Sequence, residues 1–216
     1  MNTVNAIILT TLFSITTLFN TNDNKVENYF DFENYQIDTS PNNWNTAFTG
    51  KKGEDCKWKI IDDKGNKVLA QLTKENPGYH FNVITNSNLT FKDVEINVKF
   101  KGVEGEEDQG GGPVWRYIDE NNYYIARANP LEDNFRLYKV VNGNRKELKS
   151  ADLEIKTNQW YNLKIVMKGD KIECFFNNKL KLKITDNTFK KAGKIGLWTK
   201  ADAVTYFDNL KIKELK

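Results

Sequence analysis

Four arginines carry the most distinctive chemistry in this sequence. The chain has 216 residues with 32 lysines and arginines, but only four of these are arginine. They lie close together, at Arg116, Arg127, Arg136 and Arg145. A guanidinium group is planar, binds carboxylates or sulfates through two parallel hydrogen bonds and stacks on aromatic rings, whereas the lysine ammonium is a point charge. Since lysine meets the need for solubility elsewhere, the arginine group indicates a surface that binds a polar or acidic ligand.

Strand alternation predicts which side chains share that surface. We expect strands at residues 114–118, 123–128 and 135–141, joined by a four-residue and a six-residue loop. These loops place Arg116 opposite Ile125. The outward face is then predicted to carry Arg116, Tyr123, Ile125, Arg127, Arg136 and Tyr138. The inward face is predicted to carry Trp115, Tyr117, Tyr124, Ala126, Ala128, Phe135 and Leu137.

The three outward arginines are predicted to converge on one ligand. Adjacent strands lie about 4.8 Å apart, and Arg127 is predicted to stand directly opposite Arg136. Tyr123 and Tyr138 on the same face offer rings on which a sugar can stack. In the alternative interpretation the arginines pair with acids such as Glu132 and only cover the sheet, an arrangement that contributes little stability at an exposed surface.

The elements that must position these residues are strands. Apolar side chains recur at every second position between short Gly, Asn and Asp turns, a pattern typical of antiparallel hairpins. No stretch predicts a long amphipathic helix, and residues 186–191 are expected to form a single turn. We therefore predict an all-β fold, one two-sheet antiparallel sandwich of roughly a dozen strands. The predicted strands are residues 57–61, 68–72, 80–84, 94–100, 114–118, 123–128, 135–141, 160–167, 171–176, 180–184, 194–199 and 204–212.

The N-terminal residues predict export. Residues 6–19 are apolar apart from Ser and Thr, which suits the hydrophobic region of a secretory leader and is short for a membrane span. We expect residues 1–19 to be a signal peptide, 20–28 a linker and 29–216 a single extracytoplasmic domain, periplasmic or secreted. A disordered tail or a misassigned start is the alternative. No membrane span is expected in the mature protein.

Charge and composition exclude several classes of protein. The formal net charge is +3 with both signs interleaved, so neither a nucleic-acid surface nor a polybasic membrane patch is indicated. One histidine and two cysteines exclude a zinc site built from His and Cys, and any mechanism that needs two histidines. Cys56 and Cys174 are expected to be separate thiols, with a disulfide as the alternative in an oxidising compartment.

The central and C-terminal motifs resemble a known bacterial family. Residues 110–117 (GGGPVWRY), 122–138 (NYYIARANPLEDNFRLY) and 193–210 (GKIGLWTKADAVTYFDNL) resemble the family named for 3-keto-disaccharide hydrolase, and the similarity extends over residues 28–214. The wider group resembles the concanavalin A-like lectin/glucanase sandwich, found in laminin G domains and family-16 glycoside hydrolases. The resemblance implies a two-sheet jelly roll whose concave face commonly binds saccharides.

The resemblance also implies a place for a cation. In related sandwiches the first and last strands lie side by side, which would bring Asp31 and Asp208 together as hard oxygen ligands of a structural Ca²⁺. The alternative is a pair of edge acids or turn acceptors.

Carbohydrate activity is implied by the resemblance, but no catalytic residue can be transferred. Retaining glycosidases of the related sandwiches place two acids about 5.5 Å apart on one strand, and no such run occurs on a predicted concave strand here. Glu132 and Asp133 are candidates for a general acid or base, although such acids more often hold an arginine. We expect a domain that binds a polar or acidic saccharide, with hydrolysis as the activity that the family name implies. The alternative is a structural or protein-interaction module of laminin G type.

Overall fold

The computed structural model describes residues 27–216, which form strands joined by turns and loops. Within these residues there is no helix, and residues 186–191 form an irregular connection instead of the predicted helical turn. The strands are β1 (Glu27–Phe30), β2 (Trp44–Gly50), β3 (Trp58–Asp62), β4 (Lys67–Gln71), β5 (His80–Phe91), β6 (Val94–Glu104), β7 (Gly111–Asp119), β8 (Asn122–Asn129), β9 (Asn134–Val141), β10 (Asn144–Asp152), β11 (Tyr161–Lys168), β12 (Lys171–Phe176), β13 (Lys179–Thr185), β14 (Gly193–Lys200) and β15 (Val204–Glu214).

The strands form two antiparallel sheets that enclose the main core. One sheet has eight strands in the order β13-β12-β11-β6-β15-β4-β3, with β1 paired to β15. The other has seven strands in the order β10-β9-β8-β7-β14-β5-β2. Side chains from both sheets meet in this core, for example Ile96 and Leu163 from the first and Trp115 and Leu137 from the second. The predicted all-β sandwich is confirmed.

Local sequence explains which segments pair. In β11 the side chains of Leu163, Ile165 and Met167 are buried and the intervening ones face outward, because side chains alternate between the two sides of a strand. Gly169 follows with a φ of +61°, which glycine adopts without steric cost, and the chain returns as β12. By contrast, β2 and β10 were not predicted. Both are edge strands rich in polar side chains, so they lack a regular apolar face.

The outer side of the seven-stranded sheet holds a second apolar cluster, which we call the concave cluster. It consists of Phe81, Val83, Val114, Tyr117, Tyr123, Ile125, Tyr138, Val140 and Trp198, and none of these is more than 7% exposed. The hydroxyl of Tyr123 on β8 lies 2.7 Å from that of Thr49 on β2. Three strands separate β8 from β2, so the sheet must curl strongly for these side chains to meet. The sheet is therefore buried on both sides.

A β-bulge changes the register at Arg116. Val114, and not Arg116, pairs with Ile125, and the pairing then shifts before Asp119. Arg116 itself has a φ of +46°, a left-handed conformation that is costly for an arginine. As a result Tyr117 lies in the concave cluster, and its predicted position in the main core is wrong. The error follows from strand geometry, since one extra residue moves every later side chain to the opposite face.

Candidate functional site

The bulge directs Arg116 away from the other arginines. Its Nε donates to the carbonyl of Lys92 at 2.9 Å, and its Nη2 donates to the carbonyl of Gly169 at 2.6 Å and to the carboxylate of Asp93 at 3.2 Å. Its Nη1 donates to the carbonyl of Phe189. Burial lowers the pKa of Arg116, although the charge of Asp93 opposes this effect. Arg116 therefore links three loops through hydrogen bonds. It does not converge with Arg127 and Arg136, so the predicted convergence of three arginines is wrong for this residue.

Arg127 and Arg136 do meet, and their predicted pairing across β8 and β9 is confirmed. Nη2 of Arg127 and Nη1 of Arg136 each lie 2.9 Å from Oε2 of Glu132. The hydroxyl of Tyr138 accepts from the same two nitrogens at 3.3 Å and 3.5 Å. The alternative prediction, in which arginines hold Glu132, therefore describes the contacts seen here. We call Arg127, Glu132, Arg136, Tyr138 and Arg145 the arginine cluster.

The glycines at the start of β7 allow Arg127 to lie close to the sheet. A Cβ atom added to Gly110 would lie 2.9 Å from Cδ of Arg127 and 2.7 Å from Oδ1 of Asp108. Asp108 is fully buried, and its carboxylate accepts from Nζ of Lys200 at 3.0 Å and from Nδ2 of Asn129 at 3.2 Å. The glycine run noted in the sequence is therefore the local signal for this polar end of the concave face.

Arg145 completes the cluster from β10, the edge strand that pairs with β9. Its guanidinium carbon lies 4.6 Å from the ring centre of Tyr138, 4.8 Å from that of Phe81 and 5.7 Å from that of Trp198. The hydroxyl of Tyr79 accepts from the backbone N–H of Arg145 and donates to the carbonyl of Gly143, both at 3.1 Å. Sequence reasoning noticed Arg145 but did not include it in the site, because β10 was not predicted.

Only part of the arginine cluster reaches solvent. Arg127 is 1% exposed and Tyr138 is 4% exposed, whereas the side chains of Arg136 and Glu132 are 32% and 35% exposed. Tyr123 is fully buried, and burial raises the pKa of its hydroxyl. The expectation of two exposed tyrosines for stacking is therefore wrong. The polar rim, rather than the aromatic interior, is the part that a ligand in solution meets.

Glu132 and Asp133 occupy different environments. Partial burial opposes the ionisation of Glu132, but the charge and hydrogen bonds of Arg127 outweigh it and lower the pKa to about 2. Glu132 is thus ionised at neutral pH and cannot serve there as a general acid. Asp133 accepts from the backbone N–H of Ile155 at 2.9 Å, so its side chain joins the β8–β9 loop to the segment that follows β10.

The acids predicted to bind calcium lie near one another at the junction of β1 and β15. Phe30, just before Asp31, pairs with Leu210, and both Asp31 and Asp208 raise the pKa of Tyr29, after the larger effect of burial. Asp208 accepts from Nδ2 of Asn66 at 3.3 Å and from its neighbour Asn209. Among residues 27–216 no group of three or more His, Cys, Asp or Glu side chains is placed to hold a metal ion. Calcium binding stays a prediction.

A cavity of about 720 Å³ lies beside β2 and is lined in part by Phe48, Cys56 and Glu120. Sγ of Cys56 is 3.9 Å from Nε2 of His80, and the other ring nitrogen of His80 lies 2.8 Å from the carbonyl of Lys51. Burial raises the pKa of Cys56 to about 11, so the thiol is protonated at neutral pH and is a poor nucleophile. Cys56 and Cys174 are both free thiols.

The predicted signal peptide lies outside the described residues. Over the described part of the chain, no helix has the length and apolar character needed to cross a membrane. The first described strand begins at Glu27, close to the predicted start of the domain at position 29.

Solved structures with the same fold include carbohydrate-active proteins. A CBM66 carbohydrate-binding module from Bacillus subtilis is 21% identical, with a TM-score of 0.61 over 78% of this chain and 94% of that chain. A β-glucanase from Bacillus licheniformis is 16% identical, with a TM-score of 0.59 over 88% and 98% of the two chains. A GH16 protein of the Bacteroides ovatus mixed linkage glucan PUL, in complex with a G4G4G3G product, is 10% identical, with a TM-score of 0.60 over 85% and 98%.

The sequence itself identifies the family. The comparison with curated proteins gave no match. The match to the family of 3-keto-alpha-glucoside-1,2-lyase-like domains, however, extends over residues 16–213 and so includes nearly all of the chain. The matched residues include the glycine-rich start of β7 and the motif around Glu132. This protein therefore belongs to the family of 3-keto-alpha-glucoside-1,2-lyase-like domains.

Proposed function

We propose that this domain binds a saccharide outside the cytoplasm, at the rim formed by Glu132, Arg136 and Arg145. The observation that carries the proposal is the network in which Arg127 and Arg136 share one carboxylate oxygen of Glu132 at 2.9 Å, at the surface end of the concave cluster. Family membership and the structural similarity to a carbohydrate-binding module and a β-glucanase support the same class of ligand.

The rim suits sugar hydroxyls because it offers both donors and an acceptor. Arg136 supplies guanidinium donors, and Glu132 supplies an ionised acceptor. Both are held in place from below, since Glu132 also bonds to Nδ2 of Asn134 at 3.1 Å and Arg136 bonds to the hydroxyl of Ser150 at 3.2 Å. Groups that are already ordered lose little conformational entropy when a ligand binds.

Cleavage is a second candidate activity, favoured by an ionised carboxylate placed between two guanidinium groups. In a 3-keto glycoside the carbonyl at C3 acidifies the proton on C2. A base that removes this proton forms an enolate, whose collapse expels the substituent on C1. Glu132 is the accessible base, and Arg136, the more exposed of its two arginine partners, is the donor for the enolate oxygen. Because the pKa of Glu132 is about 2, this carboxylate is a weak base, and binding is the better supported function.

Titration of the purified protein with a panel of oligosaccharides tests the proposal, with product release followed by chromatography in the same samples. Arg136→Lys keeps the positive charge but loses the planar fork, so we expect affinity to fall about tenfold. Lys156→Gln is the matched control, since Lys156 is 69% exposed and pairs only with Glu154, so its affinity should equal that of the unaltered protein. Absence of binding to every saccharide would overturn the proposal and favour the laminin G-type alternative.

Export is tested separately. Mass spectrometry of the protein from its native envelope or medium should show a chain that lacks residues 1–19. A full-length cytoplasmic species would contradict the extracytoplasmic part of the proposal.

A further inference from the structure

Arg145 holds unused hydrogen-bond donors at the rim of the proposed site. Within residues 27–216 no side-chain or backbone acceptor bonds to its guanidinium group, and no carboxylate lies within ion-pair distance of it. Its Nη1 is fully buried against the rings and lacks a partner, whereas Nε and Nη2 are not enclosed. The edge formed by Nε and Nη2 is one that binds a carboxylate or a sulfate through two parallel hydrogen bonds.

The surrounding charges leave this guanidinium uncompensated. Arg127 is already bonded to Glu132, and Lys200 is bonded to Asp108. Burial lowers the pKa of Arg145, and the positive charge of Arg127 lowers it further, although Asp108 acts in the opposite sense. Nε of Arg127 is a second buried nitrogen without a partner. A buried guanidinium without a carboxylate partner is costly, and an anion that reaches it removes that cost.

The guanidinium of Arg145 is also held in one orientation. Its guanidinium carbon makes three cation–π contacts, at 4.6 Å from the ring centre of Tyr138, 4.8 Å from that of Phe81 and 5.7 Å from that of Trp198. Its backbone is fixed by the hydroxyl of Tyr79. A group that is already immobilised binds a partner at a lower entropic cost than a free side chain does.

We propose that Arg145 binds an oxyanion group, a carboxylate or a sulfate, carried by the saccharide. The substrate class is therefore an acidic saccharide, either a uronate or a sulfated sugar. This inference rests on the proposed function, because it places the anion on the ligand of that same site. Arg127 adds positive potential next to the anion, and Arg145 determines the preference for acidic over neutral sugars.

Calorimetry with three oligosaccharides of equal length tests this inference: one that ends in a uronate, one that is sulfated and one that is neutral. We expect at least one acidic ligand to bind about tenfold or more tightly than the neutral one. Comparing the uronate-ended oligosaccharide with the sulfated one shows which of the two anions Arg145 prefers. Arg145→Gln should reduce the affinity for the acidic ligand to that for the neutral one. Lys146→Gln removes one positive charge from the next, exposed position of β10 and should leave the preference unchanged.

Arg145→Lys provides a second variant if Arg145→Gln does not fold, since it keeps the charge and loses only the planar fork. A lysine variant with unreduced affinity for the acidic ligand would overturn the inference. Equal affinities for the acidic and neutral ligands would overturn it while the proposed function stands.

A thermal shift with sulfate, relative to chloride at equal ionic strength, probes the anion site without sugar. If sulfate stabilises the unaltered protein more than Arg145→Lys, but no saccharide binds, the anion site stands and the proposed function fails.

Discussion

Two arginines of the seven-stranded sheet, Arg116 and Arg145, have opposite surroundings. Arg116 is 1% exposed and donates to three backbone carbonyls and to Asp93, so every one of its nitrogens has an acceptor. Arg145 lies against three aromatic rings, and no acceptor among the described residues bonds to its guanidinium. Residue type and burial are therefore poor guides to role. An arginine whose nitrogens all have acceptors stabilises the fold, whereas an arginine whose guanidinium lacks acceptors is available to a ligand.

The largest effect that follows from this comparison is on stability at Arg116. Replacing Arg116 by Met leaves the carbonyls of Lys92, Gly169 and Phe189 without their donor at the end of the sandwich. Phe189 is buried, and a buried acceptor left unpaired costs about 1–3 kcal/mol, whereas Lys92 and Gly169 are exposed residues. We therefore expect the free energy of unfolding to fall by about 1–3 kcal/mol. Urea denaturation followed by circular dichroism measures this change. Saccharide affinity of the folded fraction should be unaltered, and a selective loss of binding would contradict the structural role.

A smaller effect concerns the pH dependence that Glu132 brings to the arginine cluster. Its pKa is lowered from 4.5 to about 2 in the folded protein, so its contribution to stability is complete above pH 4.5 and is lost as pH falls toward 2. The difference in stability between the unaltered protein and Glu132→Gln should therefore be greatest at neutral pH and shrink across that interval. Because the carboxylate of Glu132 is partly exposed, solvent screening will keep this difference in stability modest. A constant difference between pH 7 and pH 2 would contradict the ion pairing.

The smallest expected effect comes from Asp208, an acid with no ion-pair partner among residues 27–216. Burial raises the pKa of Asp208, so stability is lost as pH rises through that pKa, the reverse of Glu132. In calcium-free buffer Asp208→Asn should thus gain stability relative to the unaltered protein as pH rises.

If Asp31 and Asp208 bind calcium as predicted, added calcium should raise the melting temperature of the unaltered protein and not of Asp208→Asn. Equal melting temperatures with calcium and with a chelator would leave the two acids as turn acceptors.

Alternation along the chain predicts the strands that bury one clear face. It predicts β11 and β12. It also predicts that Arg127 stands opposite Arg136, because the short loop between β8 and β9 keeps the register. It fails at Arg116 and Tyr117, since a bulge depends on tertiary packing and changes the face on which the next side chains of β7 lie.

The rest of the candidate site depends on the curl of the sheet. Tyr79 lies just before β5 and Arg145 lies on β10, yet their hydrogen bond joins strands near opposite edges of the sheet. Pairing rules describe neighbouring strands only, so they cannot predict a contact made through space between strands that four others separate. The glycines at positions 110–112 were visible, but their role in admitting Arg127 becomes clear only from the packing.

The edge positions of β10 and β13 have a consequence for association between molecules. An open sheet edge exposes backbone donors and acceptors that another chain can pair with, and lysine at such an edge opposes that growth. β13 carries lysines at positions 179, 181 and 183, all exposed or partly exposed. Lys149 of β10 donates to the backbone carbonyl of Lys183 at 3.3 Å. The lysines on β10 and β13 are therefore placed where they oppose edge-to-edge pairing between molecules.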